Sequence, residues 1–368
     1  VEGQLVEVAS DAKSSTKHFQ EGLYFAGDYY TGTFLKHRPT KMLFDLPDPT
    51  WAWSFEVGKQ TSGHRYWHQL FGYPRVGWRW FMQSFGNKEV LGRSYTIYPF
   101  VDLGLYRRER FKLWFRFGYS FAWLDREFDF VNNPQNTAIG THLNNLTCVS
   151  LLADFSVTPR WQLRAGGQLT HASNARFQQP NLGLNTAALR FGLAYTPQPL
   201  EKRVAYDYSV YPFARQWKPF FRVELAVKEL KAAKGPRYPV WTGAAGVQWH
   251  FRRQNQLLAG LGLSHDQATE AFMKEFGIPR EPGQWNYLRP HLFLGHEFLL
   301  GRVGILTQTF FYLDQPFQGQ DFMGFQIGPN LYFTHPRDLP GINGFVGIYL
   351  KAHRAIADYA GLTVGMSF

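Results

Sequence analysis

The chain has 368 residues, 39 Lys and Arg against 28 Asp and Glu, a formal net charge of +11 and one cysteine, Cys148. A lone cysteine excludes a disulfide framework and a cysteine-based metal site. No run approaches the ~18–20 apolar residues of a membrane helix, which excludes a helical membrane protein. The basic excess does not point to nucleic acid, because the arginines alternate with apolar residues instead of clustering and no recognition module is present.

Aromatics are 18% of the residues, with Gly 35, and mean hydropathy is slightly negative. That suits closely packed strands with aromatic rims. The chain opens at Val1, as it would after removal of a signal peptide, and residues 1–19 are expected to be an N-terminal periplasmic segment. From there the two-residue period of a strand recurs. It covers 20–35, 51–61, 73–84, 95–105, 110–123, 143–157, 160–173 and 185–196. The second half adds 219–230, 238–251, 255–266, 287–299, 302–313, 322–334, 342–352 and 357–368. The cleanest case puts Phe111, Leu113, Phe115, Phe117, Tyr119, Phe121 and Trp123 on one face. Such a face needs a thick core or a bilayer.

The connections alternate in length. Tight turns fall at 107–109, 158–159, 253–254 and 300–301, and longer loops at 124–142, 174–184, 267–286 and 314–321. Outer-membrane barrels are built this way, with the tight turns on the periplasmic side. Two connections are longer than the scheme requires, 62–72 and 197–216, and the second contains Pro197, Pro199 and Pro212. It reads as a large periplasmic turn or a linker. The expected fold is all-β, an antiparallel transmembrane β-barrel of about 14–16 strands, or alternatively two eight-stranded barrels in tandem. Residues 20–196 would carry the site, and 217–368 would supply further strands ending on the terminal aromatic Phe368.

The chemistry concentrates at the end of 160–173. Trp161, Leu163, Ala165, Gly167 and Leu169 share one face, and the series runs on into His171 and Ser173. Across a polar loop, Ala187, Leu189, Phe191, Leu193 and Tyr195 form the next apolar face, and Asn185 falls in step with them. Three polar groups thus stand on faces made for hydrocarbon, which suits a lipid substrate. A serine hydroxyl needs a base to take its proton, and the base needs a third group to fix its tautomer. Ser173, His171 and Asn185 are the candidates for those roles. Asn174 and the backbone N–H groups of Ala175 and Arg176 are candidates for binding an oxyanion. Leu169, Leu189 and Phe191 would receive acyl chains, and His142 and Asn145 would line the site. His265 with Asp266, or His353 with Asp358, would supply a carboxylate only if the strand ends converge. No grouping has the ligand set of a transition-metal site.

HASNARFQQPNLGLN, residues 171–185, resembles the outer-membrane lipid A 3-O-deacylases, in particular their longer acyloxyacyl hydrolase relatives. NPQNTAIGTHLNN (133–145) and LKAHRAIADYAGLTVGMSF (350–368) extend the resemblance over most of the chain. It implies an eight-stranded barrel in the short form, with Ser and His on the lipid-facing surface. The sequence departs from that form at Asn185, where a Glu is expected, and at Arg176, where a glycine is usual. The His-x-Ser-x11-Asn spacing is similar to that of outer-membrane phospholipase A. Calcium enters only through that second resemblance, and no other cofactor is called for.

The expected function is therefore an outer-membrane serine esterase removing an acyl chain from the lipid A of lipopolysaccharide, with its active site at the outer leaflet. The alternatives are a phospholipase A and a non-catalytic barrel serving as a channel or structural partner. The sequence names no protein partner.

Overall fold

The computed structural model describes residues 20–200, 203, 205, 213–230, 233–279, 287–314, 321–334, 341–353 and 356–368. The expected N-terminal segment 1–19, and Pro212 with much of the 197–216 connection, lie outside the described residues. The first strands are β1 (Leu23–Phe34), β2 (Thr50–Gln60), β3 (Arg75–Ser84), β4 (Arg93–Arg107), β5 (Phe111–Leu124), β6 (Leu143–Ser156), β7 (Trp161–Ser173) and β8 (Leu184–Tyr195). The second set is β9 (Gln216–Glu229), β10 (Arg237–Arg252), β11 (Asn255–Asp266), β12 (Leu288–Leu300), β13 (Val303–Tyr312), β14 (Met323–Tyr332), β15 (Asn343–His353) and β16 (Ile356–Ser367).

Each set closes on itself: β1 pairs antiparallel with β8, and β16 pairs antiparallel with β9. The result is two eight-stranded barrels in tandem, the second of the two arrangements read from the sequence. Contacts divide the chain into one unit of residues 1–173 and 182–208 and another of 174–181 and 209–368.

Within the first unit the side chains are arranged inside out relative to a water-soluble core. On β2, Trp53, Phe55 and Val57 are exposed, while Ser54 and Glu56 between them are buried. Strand geometry sends alternate residues to opposite faces, and a bilayer rewards this choice of face. The interior is filled by charge. Glu56 accepts hydrogen bonds from Arg79 (Nε to Oε2, 2.9 Å), Arg116 and Arg164. Asp102 accepts from Arg75 (3.0 Å) and Arg116 (2.7 Å). Asp28 accepts from Arg190 (2.8 Å), and Asp154 from the Trp114 indole (2.9 Å) and Arg75. Buried charge is tolerated only when paired in this way. The basic excess noted in the sequence is therefore partly a basic lumen.

The second barrel follows the same rule with a different filling. Leu362, Val364, Met366 and Phe368 are exposed on its outer wall. Inside, Arg222 pairs with Glu224 (3.0 Å) and donates to Gln308 (2.7 Å), and Tyr332 donates to Glu297 (2.7 Å). Phe220, Phe293 and Phe310 pack among them.

Helices appear in two segments expected to be loops, α1 (Tyr66–Leu70) and α2 (Gln267–Glu275). Asp266 caps α2 by accepting from Ala268 and Thr269 N–H groups. The signal was present in Asp followed by QATEAFMKE, a capping residue before good helix formers. No helix among the described residues is long and apolar enough to cross a membrane.

Candidate active site on the outer wall of the first barrel

The odd-numbered residues of β7 face outward. Leu163 and Leu169 are about half exposed, whereas the even-numbered Arg164, Gln168 and Thr170 are buried. His171 and Ser173 continue the outward series, so their Cα atoms stand about 6.8 Å apart along the strand. On β8, Leu189, Phe191 and Leu193 face outward in the same way, and Asn185 begins that row. The register makes His171 and Asn185 direct cross-strand partners.

Their side chains meet. His171 Nδ1 lies 2.7 Å from Asn185 Oδ1. The amide oxygen is an acceptor only, so His171 donates from Nδ1 and keeps a lone pair at Nε2. That is the tautomer a general base requires. Asn185 Nδ2 in turn lies 2.9 Å from Nδ1 of His37, in the segment after β1. The sequence offers no local hint of His37, which stands 148 residues from Asn185.

Ser173 is in register with Asn145 of β6, and the Asn145 amide donates to the Ser173 carbonyl oxygen. Ser173 is 3% exposed, enclosed at the strand end, while His171 and Asn185 are half-buried. His142 lies further along the loop before β6, stacked on Trp123 at 4.8 Å and donating from Nδ1 to the Leu124 carbonyl (2.6 Å). Gly183 closes the motif P-N-x-G with a left-handed backbone (φ +81°) and lies against the His171 ring: a Cβ there would stand 2.9 Å from Cε1. Only glycine fits both demands.

Below the polar trio the wall is hollow. A depression of about 820 Å³ is lined by Gly32, Leu151, Gly167, Leu169, Ala187 and Leu189 among others. Small residues and leucines together give it an almost wholly apolar surface. Phe191 stands further along the same wall, half exposed.

Asn174, Ala175 and Arg176 belong to segment 174–181, which groups with the second unit. The Asn174 backbone N–H donates to Asn181 Oδ1 (3.0 Å) and one hydrogen of its Nδ2 to the Gln178 carbonyl (2.8 Å), both within the turn. Ala175 (φ 51°) and Arg176 (φ 61°) are left-handed, a conformation that favours glycine and marks local strain. Arg176 pairs with Asp358 (3.2 Å), which also binds Lys228 (3.1 Å) and His353 (3.5 Å). Asp266 binds Lys228 and caps α2, and His265 lies 3.9 Å from Glu270. The partner seen on His171 Nδ1 is Asn185, not one of these carboxylates. Among the described residues, no group of three or more His, Cys, Asp or Glu side chains could hold a metal ion.

Charged lumens and apolar outer walls define the class, an outer-membrane β-barrel. Two family models then match. Residues 50–194 match lipid A 3-O-deacylase (PagL), and residues 207–368 match the acyloxyacyl hydrolase C-terminal domain. The two models together cover most of the chain and place it in the PagL-like family of lipid A 3-O-deacylases, in a form carrying that C-terminal domain.

No curated protein matches. Solved structures similar to the chain include CdiB from Acinetobacter baumannii, at 8% identity and TM-score 0.18, covering 95% of this chain and 60% of that one. The chain thus spans 60% of the length of CdiB. OccK11 of Pseudomonas aeruginosa matches at 11% identity and TM-score 0.22, covering 94% of each chain. The translocator domain of the autotransporter NalP from Neisseria meningitidis matches at 10% identity and TM-score 0.20, covering 99% of this chain and 95% of that one. At such scores the likeness carries no argument.

Proposed function

We propose that the protein is a serine esterase of the outer membrane that removes an ester-linked acyl chain from lipid A. The carrying observation is the 2.7 Å contact between His171 Nδ1 and Asn185 Oδ1, on the outward face that also bears Ser173. The apolar depression bordered by Leu169 and Leu189 suits the acyl chain, held in the plane of the membrane. In this reading the end of the first barrel with long loops faces outward and its tight turns face the periplasm, which brings the site to the outer leaflet.

Ser173 Oγ attacks the acyl carbonyl while His171 Nε2 takes its proton. The imidazolium, steadied by Asn185, then gives that proton to the departing sugar oxygen. A water, deprotonated by His171, attacks the acyl-enzyme, and His171 returns that proton to the departing Ser173 Oγ as the fatty acid is released. The low exposure of Ser173 limits competing water at the nucleophile.

Asparagine in the third position favours a second reading, a phospholipase A. Lipid A and phospholipid vesicles offered in parallel separate the two. A channel through the first barrel is not favoured, since Arg79, Arg116, Arg164 and Arg190 fill its interior with their carboxylate partners.

The test is incubation of the purified protein with lipid A and mass spectrometry of the products. Ser173→Ala and His171→Ala should leave a heat-modifiable barrel that releases no fatty acid. Asn185→Ala should slow release without abolishing it. Identical product spectra from wild type and Ser173→Ala would overturn the assignment.

A further inference from the structure

We infer that His37 is a positioning residue for this reaction, fixing which end of the Asn185 amide faces His171. The inference rests on the esterase reading above and extends it by one residue.

A carboxylate in the third position accepts through either oxygen, but an amide does not. Turned end for end, Asn185 would offer N–H to His171 Nδ1. His171 would then carry its proton on Nε2 and could not accept one from Ser173. An asparagine in this position therefore needs a further group to hold its orientation. His37 Nδ1, 2.9 Å from Asn185 Nδ2, accepts from the amide and leaves Oδ1 for His171.

His37 is held where it can do this. Beyond the end of β1, the Leu35 N–H donates to the Asn185 carbonyl (2.8 Å), extending the β1–β8 ladder, and His37 follows two residues later. The chain then turns back on itself, with the Lys41 and Met42 N–H groups donating to the Arg38 carbonyl at 2.9 and 3.1 Å. Lys36 ties the segment to the carbonyls of Met42 (3.3 Å) and Phe44, and Phe44 packs edge-on against Phe34 at 5.7 Å. Reversing the amide calls for His37 and His171 to change tautomer together, so the two rings and the amide between them act as one unit. Partial burial, then the charges of Arg38 and His171, lower the His37 pKa and favour its neutral ring, which keeps one nitrogen as an acceptor.

The experiment measures kcat and KM for fatty acid release from lipid A with His37→Ala and His37→Gln, each in the Asn185 and the Asn185→Asp enzyme. In the Asn185 enzyme, His37→Ala should lower kcat about tenfold with KM changed less than about twofold. His37→Gln, whose side-chain oxygen can accept, should restore most of the loss. In the Asn185→Asp enzyme the same alanine should change kcat by less than about twofold, because no amide remains to orient. An equal loss in both backgrounds, or no loss in the Asn185 enzyme, overturns the inference.

If Asn185→Asp does not turn over, nitrogen NMR of His171 decides. Loss of the Nδ1–H tautomer in His37→Ala supports the role, and its retention overturns it. Ser173→Ala separates the two levels. If that variant still deacylates, the esterase reading fails. If it is inactive while His37→Ala is unaffected, only the role of His37 fails.

Discussion

Gly183→Ala tests the site through a residue that takes no part in the chemistry. The added methyl would stand 2.9 Å from His171 Cε1 and 3.3 Å from the Ala172 carbonyl oxygen. Carbon atoms pack at about 3.5–4.0 Å, so the imidazole must retreat by roughly 0.6 Å or more. A retreat of that size stretches the 2.7 Å bond to Asn185 toward 3.3 Å, past the ~3.2 Å limit of a good N–H···O bond. Losing a bond that is charge-assisted once His171 holds a proton costs about 1.5–3 kcal/mol. That corresponds to roughly 10- to 100-fold in kcat. The backbone adds its own strain, since φ is +81° at this position and an L-residue there costs about 1–2 kcal/mol. The barrel itself should survive, because Gly183 lies outside the strands. The assay is fatty acid release from lipid A, with heat-modifiable gel mobility as the control for folding. A folded Gly183→Ala barrel with kcat within about twofold of wild type would refute the reasoning.

Glu56→Ala removes the carboxylate shared by Arg79, Arg116 and Arg164. It should destabilise the first barrel by ~3–5 kcal/mol, read as a lower urea midpoint for the loss of heat-modifiable mobility. His68 accepts a hydrogen bond from the Gly63 N–H (3.2 Å), and burial, then Arg65, His64 and Lys59, lower its pKa to about 4 from 6.5. The folded value lies below the unfolded one, so this group supports the turn fully above pH 6.5 and loses that support as pH falls toward 4. Hydrogen exchange at the Gly63 amide should quicken across that window, and a His68→Asn variant should show a flat profile.

Strand positions and their outward faces were legible because alternation is local: Leu163 to Ser173 can be read face by face without knowing any neighbour. The choice between one barrel and two was not, because both give the same alternation along each strand. Closure depends on β1 meeting β8 and β16 meeting β9, pairings between distant segments. The three prolines of 197–216 marked the division without deciding it. The His171–Asn185 pair could be anticipated because consecutive strands place it. His37 could not, since it reaches Asn185 only through closure of the ring. Gly183 stood inside a noted motif, but its purpose depends on where the His171 ring lies. Asn174 stands out from its position after Ser173, and its backbone N–H bond to Asn181 could not be foreseen because it depends on how the loop folds back.

The charged interior of the first barrel bears on how it can be assembled. A single guanidinium crossing hydrocarbon costs about 2.5–3.5 kcal/mol even with the bilayer yielding around it. The five buried arginines sit on β3, β5, β7 and β8, and their carboxylates on β1, β2, β4 and β6. Adjacent strands neutralise part of this charge, Asp102 of β4 with Arg116 of β5 and Asp154 of β6 with Arg164 of β7, but Glu56 of β2 meets Arg116 and Arg164 only across the lumen, and Arg190 of β8 meets Asp28 of β1 only when the ring closes. Insertion strand by strand therefore leaves charges unpaired until the ring closes, which favours a curl that forms at the membrane edge and enters as one body.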